Sequence, residues 1–350
     1  MTMDAAEAAV VPAVTSFLMD ALLLKEYMKL EMVQMDLPEI GPDDVLVRVR
    51  ACGICGSDVH GMDGSTGRRL PPIVMGHEAA GVVERAGANV RDLKPGDRVT
   101  FDSTIYCGQC FYCGRGEVNL CDNRMVLGVS PGEYRRHGAF AEFVAVPRRI
   151  VYALPESLSF EQAALIEAAS VAVHGVGLTP IKLGDRAVVV GAGMIGVLTV
   201  QALRASGCAN VIAIDPVESR LKMAEEFGAT ETRTSGEGIT NADVVLECVG
   251  ANESVQTALK CVRKGGAVTL VGNFAPKVEL PLQWVVSRQI RVQGSCASSG
   301  EYPAVIDLMA RGIIRVDSLI SAVAPLREGA EWFGKLYRRE GNLMKVILQP

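Results

Sequence analysis

Four cysteines lie close together in the stretch YCGQCFYCGRGEVNLC, residues 106–121, with the spacing C-x2-C-x2-C-x7-C. They are Cys107, Cys110, Cys113 and Cys121. Four thiolates complete the tetrahedral coordination of zinc and leave no position for water or substrate. Free thiols clustered on a surface loop would oxidise easily, which disfavours the alternative of unligated cysteines. The stretch therefore predicts a structural zinc site and not the centre of a reaction.

A second group of potential metal ligands is more scattered. The segment GICGSDVH supplies Cys55, Ser57, Asp58 and His60, and the segment GHE supplies His77 and Glu78. A catalytic zinc takes three protein ligands and keeps an exchangeable fourth position. Cys55 and His77 are natural first choices, and residue type leaves four candidates for the third ligand: His174, His137, Glu78 and Glu167. A lone cysteine and a lone histidine are also common in protein cores, so spacing alone leaves this site open.

A glycine-rich turn, GAGMIG at 191–196, follows the apolar run RAVVV and opens a helical pattern. Gly191, Gly193 and Gly196 match the dinucleotide fingerprint, in which the helix N-terminus receives the pyrophosphate. Asp215 ends the next apolar run, where a carboxylate binds an adenine ribose and repels a 2′-phosphate, which favours NAD over NADP. Arg220 complicates this preference for NAD, because an arginine there can either pair with Asp215 or accommodate the 2′-phosphate of NADP. The predicted cofactor contacts also include Met194, Ile195, Val249 and Val271.

Composition narrows the function classes. The chain has 350 residues, 49% of them hydrophobic, and a net charge of −5, which gives no electrostatic reason to expect nucleic acid or an anionic membrane as a partner. No apolar run is long enough to span a bilayer. The first eighteen residues lack the positive start of a secretory signal. Ten cysteines without an export signal predict a reducing compartment, the cytoplasm, and metal ligation in place of disulfides.

Two parts of the chain differ in pattern. From Met19 to about Ile150, short alternating runs such as DVLVRVRA (44–51) predict a compact, partly open β-barrel. From about Ser170, continuous apolar runs alternate with helical stretches, which predicts a parallel sheet covered on both faces and an α/β fold class. The predicted organisation is an N-terminal extension at 1–18, domains at 19–169 and 170–301, and a segment at 302–350 whose final strand, MKVILQ, returns to the first domain.

These motifs, in this order, resemble the zinc-containing medium-chain alcohol dehydrogenases, and most of all their polyol branch. The resemblance covers about Met19 to the C-terminus and implies a GroES-like catalytic domain with a Rossmann domain. It implies a catalytic zinc held by Cys55, His77 and Glu167, with Glu78 as the alternate ligand. Glu167 lies in LPESLSFEQAALIEAAS, where Ala168 replaces the proline usual in the branch. The four-cysteine segment is implied to be the structural zinc lobe, giving two zinc ions per chain.

The resemblance also implies the reaction: hydride transfer from a secondary alcohol of a polyol, sugar alcohol or sugar phosphate to NAD. Ser57 would relay the hydroxyl proton to His60. The relatives place an arginine and an aromatic residue where this chain has Ala297 and Ser298, which weakens sorbitol as the substrate. Arg68 and Arg69 belong either to a substrate-phosphate contact or to a solvated basic loop. The alternatives are a threonine-type dehydrogenase, a zinc-free quinone reductase and a non-catalytic nucleotide-binding protein. A homodimer or homotetramer is expected.

Overall fold

A computed structural model describes residues 18–130 and 136–350. The predicted N-terminal extension falls outside the described residues, except for Leu18, which already begins the first strand. In the first part of the described chain, the α-helices and strands follow in the order β1 (Leu18–Glu26), β2 (Lys29–Asp36), β3 (Asp44–Gly53), α1 (Gly56–Gly61), β4 (Ile73–Val74), β5 (Glu78–Ala86), β6 (Arg98–Phe101), β7 (Thr104–Ile105), α2 (Phe111–Gly114), β8 (Met125–Val126), β9 (Phe143–Pro147), β10 (Val151–Ala153) and α3 (Phe160–Ala163).

The second part alternates helices with strands. Its elements are α4 (Ile166–Gly177), β11 (Arg186–Val190), α5 (Met194–Ala205), β12 (Asn210–Ile214), α6 (Glu218–Glu226), β13 (Glu231–Arg233), β14 (Ala242–Glu247), α7 (Asn252–Cys261), β15 (Val262–Leu270), α8 (Leu282–Ser287) and β16 (Arg291–Gly294). The chain then continues through α9 (Tyr302–Ala310), β17 (Ile320–Pro325), α10 (Gly329–Tyr337) and β18 (Lys345–Gln349).

The first part folds around a mostly antiparallel sheet of seven strands. Six follow the order β10-β6-β5-β3-β18-β17, and β9 also pairs with β3. In β3 the side chains of Val45, Val47 and Val49 are buried while Arg50 is exposed, as alternation predicts. Leu46 departs from the alternation and is also buried, because β3 lies inside the sheet and is covered on both faces.

The second part contains a parallel sheet of six strands in the order β13-β12-β11-β14-β15-β16. This is the order of a doubly wound dinucleotide-binding sheet, whose ligands bind at the carboxyl ends of the strands where the order reverses. Its central strands are continuously buried: Ala187–Val190 in β11 and Val211–Ile214 in β12. Helices cover the faces of the sheet, which explains why these runs show no alternation. The predicted α/β fold class is confirmed.

Two features join the parts. The last strand, β18, pairs with β3 at Ile347–Gly53 and Leu348–Cys52, which brings the end of the chain beside the segment that carries Cys55. Helix α4 lies in a buried cluster that includes Ala80 of one sheet and Val189 of the other, so the two sheets share a continuous core. Within the described residues, no helix is both long and apolar enough to cross a membrane.

Candidate active site and metal centres

Cys55 caps the N-terminus of α1, directly after strand β3. Its sulfur accepts hydrogen bonds from the Ser57 backbone N–H at 3.5 Å and from the Ser57 hydroxyl at 3.3 Å. The cap thus fixes both the sulfur and the neighbouring hydroxyl.

His77 and Glu78 stand at the start of β5 and are almost completely buried. Together with Cys55 they form a cluster in which the potential ligand atoms lie within 4.8 Å of one another. Lys345, from β18, pairs with Glu78 across 2.5 Å and also donates to the Ile54 carbonyl at 3.2 Å. A buried ammonium therefore compensates the charge of the Glu78 carboxylate.

The imidazole ring of His77 also lies beside Asp58. The Nδ1 atom lies 3.4 Å from Asp58 Oδ1, within ion-pair distance although it lacks hydrogen-bond geometry. Asp58 is fully buried and takes two bonds from the Arg69 guanidinium, at 2.7 Å and 3.2 Å. Burial opposes the charge on the carboxylate, but His77 and Arg69 outweigh it and hold the pKa of Asp58 well below its usual range. A carboxylate behind a ligating imidazole is the common way to fix its orientation.

Arg69 is 2% exposed, which differs from both sequence interpretations of this residue. Besides Asp58 it contacts the Ser57 hydroxyl, at 3.2 Å from Nη2. Because the guanidinium donates to Ser57, the Ser57 proton is left to donate to Cys55 or to a bound molecule. Arg68 is exposed and, with the Asn273 amide oxygen turned toward it, donates to that oxygen at 3.1 and 3.2 Å across the cleft.

Glu167, in the first turn of α4, lies in the same neighbourhood but outside the cluster of three ligands. Burial raises the pKa of Glu167 to about 7; His77 opposes this shift and Glu78 reinforces it. The structure thus brings Cys55, His77 and Glu78 together, and it sets Glu167 beside them as a nearby carboxylate.

The two remaining histidine candidates have other partners. His137 Nδ1 accepts the Val74 backbone N–H at 3.1 Å. His174 lies 2.7 Å from a Glu301 oxygen through Nδ1 and 3.3 Å from the Asn119 amide nitrogen through Nε2. Neither belongs to the cluster formed with Cys55. His60, on α1, is half-buried and packs its ring edge-on against Phe274 at 5.3 Å, at the cleft between the two parts of the chain.

The cysteine lobe forms a second cluster, and its residues fit a zinc ion. The four sulfur atoms lie within 4.8 Å of one another, and Cys107 and Cys113 are separated by 4.0 Å. Zinc–sulfur bonds of about 2.3 Å in a tetrahedron place sulfurs about 3.8 Å apart. Backbone N–H groups of the loop, first that of Gln109, lower the pKa of Cys107 to about 6, which favours the thiolate that binds metal. All ten cysteines of the chain are free, so no disulfide competes.

The Cys55 cluster also fits zinc, but differently. Thiolate, imidazole and carboxylate are the donor types of catalytic zinc sites. The cluster offers three protein donors, against four in the lobe, which leaves a coordination position for another molecule. Asp58 lies beside Nδ1 of His77, which leaves Nε2 as the ring nitrogen available to a metal.

The glycine turn fits a dinucleotide. Gly191 has φ +96°, and a Cβ atom on Gly196 would collide with the Gly191 carbonyl oxygen, so the turn excludes side chains at both positions. Gly193 caps α5 and faces open space, where a phosphate could approach the free N–H groups of Met194 and Ile195.

Other predicted cofactor residues surround this turn. Asp215 is buried after β12 and accepts N–H bonds from Ala192 and Val217, both at 2.9 Å. Arg220 is half-exposed, with its guanidinium 3.6 Å from the Asp215 carboxylate. Val249, beside Gly191, and Val271 both follow the carboxyl ends of central strands.

Several residues that position the site side chains have no recognisable signal for this role in the sequence. Asp58 stood in a quoted motif without a function, and Arg69 was not expected to be buried. Lys345 is the one charged residue of the strand KVILQ, and a single charged residue in a mostly apolar strand indicates that it has an oppositely charged partner in the interior. No local pattern, however, identifies Glu78 as its partner 267 residues away.

The chain is similar to known proteins over most of its length. Two family models match the chain: the alcohol dehydrogenase GroES-like domain at residues 41–156 and the zinc-binding dehydrogenase domain at residues 195–311. The chain is 30% identical to sorbitol dehydrogenase of Bacillus subtilis, over 95% of this chain and 97% of that protein. It is 34% identical to D-xylulose reductase A of Aspergillus niger, over 89% of this chain and 91% of that protein.

A solved structure from Sinorhizobium meliloti, described as a zinc-binding dehydrogenase bound to NADP, is similar in fold. It superposes with a TM-score of 0.88 at 36% identity and covers 95% of this chain and 99% of its own.

Proposed function

We propose that this chain, which belongs to the zinc-binding alcohol dehydrogenase family, oxidises a secondary alcohol of a polyol, sugar alcohol or sugar phosphate with NAD. The observation that carries the proposal is the cluster of Cys55, His77 and Glu78, which has three donors and a hydroxyl, that of Ser57, against its sulfur. A purely structural metal site would have no need of an open position or of a neighbouring proton carrier.

Cys55, His77 and either Glu78 or Glu167 would hold the catalytic zinc, and the four cysteines of the lobe would hold the structural one. When bound, zinc lowers the pKa of an alcohol and NAD accepts hydride from it. The buried Asp58 and Arg69 keep His77 and Ser57 oriented. Lys345 holds Glu78 on its other side, which supports Glu78 as an alternate ligand and not as a permanent one.

Ser57 would take the proton of the substrate hydroxyl, because its own proton is free to move while Arg69 donates to its oxygen. His60 follows three residues later on the same helical turn and lies at the cleft against Phe274, a position suited to releasing the proton toward solvent. The proposed path therefore runs from the cluster to the cleft along one face of α1.

For the cofactor we propose NAD in preference to NADP. Asp215 places a buried carboxylate at the end of β12, beside the glycine turn, where it would accept bonds from ribose hydroxyls and repel a 2′-phosphate. Arg220 lies at ion-pair distance from Asp215, which supports a role in neutralising that carboxylate. The Sinorhizobium relative was solved with NADP, so both cofactors belong in the test.

The polyol class rests on the relatives, which include a sorbitol dehydrogenase and a D-xylulose reductase. In this chain the loop after β16 carries Ala297 and Ser298, so the pocket has no arginine at these positions. We therefore propose a polyol or sugar other than sorbitol.

The test is a screen of NAD and NADP reduction with polyols, sugar phosphates and L-threonine, with zinc measured per chain. We expect turnover with at least one polyol or sugar and a preference for NAD. Turnover with L-threonine alone would favour a threonine-type dehydrogenase. No turnover with any alcohol, in a protein that binds zinc at both sites, would favour a non-catalytic binding protein.

The partner we propose is a second copy of the chain. Strand β16 forms the edge of the parallel sheet, with no further strand on its outer side among residues 18–130 and 136–350. Next to it, α8 and the residue two positions before it expose a set of large apolar side chains: Leu280, Leu282, Trp284 and Val286, the last at 69% exposure. An exposed apolar patch beside an open strand edge suits a two-fold interface, in which both copies contribute the same surface.

We also propose the cytoplasm as the location and the predicted domain limits as the division of the chain. All ten cysteines are free, and five of them belong to the two clusters of potential metal ligands. Free cysteines in this number suit a reducing compartment. Residues 19–169 with 302–350 would form the catalytic domain and residues 170–301 the cofactor domain. The pairing of β18 with β3 supports this division.

A further inference from the structure

The cysteine lobe contacts the loop at residues 295–301, which follows β16. Asn119 donates to the Cys296 carbonyl at 2.7 Å, and Arg124 reaches the Cys296 sulfur at 2.9 Å. Ser299 donates to the Gly116 carbonyl at 2.8 Å and accepts the Val118 N–H at 3.1 Å. Four hydrogen bonds thus connect elements that are more than 170 residues apart in the chain.

Asn119 is the centre of this junction. It is 5% exposed, and its amide nitrogen lies at hydrogen-bond distance from both the Cys296 carbonyl and His174 Nε2. Because the carbonyl can only accept, the amide nitrogen must face the loop, and both of its protons are used. His174 Nε2 then accepts, so the ring proton is on Nδ1 and is donated to Glu301 at 2.7 Å.

Glu301 fastens the far end of the same loop. One of its carboxylate oxygens accepts the Ser299 backbone N–H at 2.5 Å, while the other holds His174. The loop is therefore bound at Cys296 by Asn119 and at Glu301 by His174, and a single asparagine side chain contacts both attachments.

The loop borders the cleft in which the alcohol would bind. It begins at the carboxyl end of β16, where Ser295 N–H bonds the Leu270 carbonyl, and this edge of the sheet is where doubly wound folds bind ligands. In its middle, Ala297 has φ +50°, a left-handed conformation that is strained for alanine, and Ser298 donates to the buried Asp102 at 3.5 Å. Asp102 in turn lies close enough to Glu167 to influence its charge.

We propose that Asn119 is a positioning residue through which the metal-loaded cysteine lobe sets the conformation of loop 295–301 and so the affinity for the alcohol. The proposal rests on the dehydrogenase function proposed above. Val118–Leu120 lies between the third and fourth cysteines, so an ion that joins Cys113 to Cys121 also fixes the backbone that presents Asn119. The lobe is then part of the substrate site at a distance, and not only a stabilising element.

The test uses the zinc-loaded full-length protein and the isosteric variant Asn119→Asp, which replaces the donor facing Cys296 and His174 by an acceptor. Gln109→Ala is the matched control, since Gln109 is exposed in the same lobe and its backbone N–H remains. Hydrogen exchange is measured for peptides covering 295–301 and, as a remote reference, helix α6 at residues 218–226. The same peptides are also measured in Cys110→Ser, a variant that lacks one of the four thiolates and so should lose the metal of the lobe.

We expect exchange in 295–301 to accelerate about tenfold in Asn119→Asp and in Cys110→Ser, with residues 218–226 unchanged and Gln109→Ala like the wild type. With the alcohol selected by the screen, KM should rise about tenfold in Asn119→Asp, while kcat and the KM for NAD change less than about twofold. Wild-type exchange in 295–301, or equal acceleration in both peptides, would overturn the proposal. A screen without turnover would remove the proposed function, while the exchange result would still decide the coupling.

Discussion

Glu78 and Lys345 show how strongly a functional site depends on buried charge compensation. Both side chains are at most 3% exposed, and their ion pair joins the start of β5 to the start of β18. Placing charges in a low-dielectric interior is costly unless each has a partner. The pair therefore keeps a potential metal ligand charged inside the protein, at the expense of making each partner dependent on the other.

Lys345→Met should lower the free energy of unfolding by about 3–5 kcal/mol, because it leaves the Glu78 carboxylate buried without its cation. Urea unfolding of the zinc-loaded protein measures this change. The double variant Glu78→Gln/Lys345→Met should recover most of the loss, since it removes both charges. Equal destabilisation in the single and double variants would show that the loss comes from packing and not from charge.

Asp102 predicts a pH dependence of stability. Burial raises its pKa from 3.8 to about 6, although the Thr104 N–H and the Ser298 hydroxyl oppose the shift. The folded chain thus keeps a proton that the unfolded chain loses at lower pH, so stability falls as pH rises through this window. As pH rises from about 4 to about 6, the free energy of unfolding of Asp102→Asn should therefore gain about 2–3 kcal/mol relative to that of the wild type.

Urea unfolding across that pH range checks the Asp102 prediction. Asp92→Asn is the control of opposite sign, because Arg148 holds the pKa of the exposed Asp92 below its ordinary value. The free energy of unfolding of Asp92→Asn should show no gain over that of the wild type as pH rises. A constant difference between Asp102→Asn and the wild type at every pH would contradict the account of the buried proton.

The strands form a rigid frame, and the residues of the proposed sites lie at or just beyond the strand ends. Strands β3 and β5 supply Cys55, His77 and Glu78 from their ends, and β11 and β12 supply the glycine turn and Asp215 in the same way. Residues at strand ends are fixed by ladder hydrogen bonds on one side and are open to ligands on the other. This arrangement explains why the motifs follow or precede apolar runs in the sequence.

Local patterns predicted these elements well. RAVVV is β11 to the residue, because burial on both faces leaves a direct signature in sequence. The edge strand β13, with the sequence ETR, has no apolar run and was not predicted. The cysteine spacing likewise predicted a cluster that the structure forms. Arg69, Lys345 and Asn119 could not be assigned, since their roles depend on partners that come close only in the folded chain.

The lobe makes a separate prediction. Cys110→Ala should reduce zinc from about two ions per chain to about one and lower the midpoint of thermal unfolding, because three thiolates no longer saturate the ion. Zinc analysis and thermal unfolding measure both effects. Cys208→Ala, at a buried cysteine outside both clusters, should keep its zinc. Full zinc content in Cys110→Ala would contradict the structural assignment of the lobe.

At the scale of the whole molecule, the two largest sheets meet in a buried cluster around α4, and the proposed site lies near this junction. At the cleft between the two parts of the chain, His60 packs against Phe274 and Arg68 donates to Asn273. Residues from both parts must therefore come together for hydride transfer. The relative position of the two parts is consequently as important to the reaction as any single ligand.

The proposed dimer makes a prediction at the free edge of the parallel sheet. Val286→Glu introduces a charge into the apolar surface beside β16 and should convert a dimer into a monomer. Light scattering coupled to size exclusion gives the mass directly. Leu183→Glu is the matched control, since Leu183 is 91% exposed and lies away from this surface. A dimer that persists in Val286→Glu would place the interface elsewhere.

The most direct test of the proposed reaction is Cys55→Ala, compared with the wild type and with Cys52→Ala, a buried cysteine outside the metal cluster. Zinc per chain, circular dichroism and NAD reduction with the best alcohol are measured together. Cys55→Ala should keep its fold, lose about one zinc ion and lose NAD reduction completely, while Cys52→Ala keeps both. Wild-type turnover in folded Cys55→Ala would contradict the assignment of this cluster as the catalytic centre.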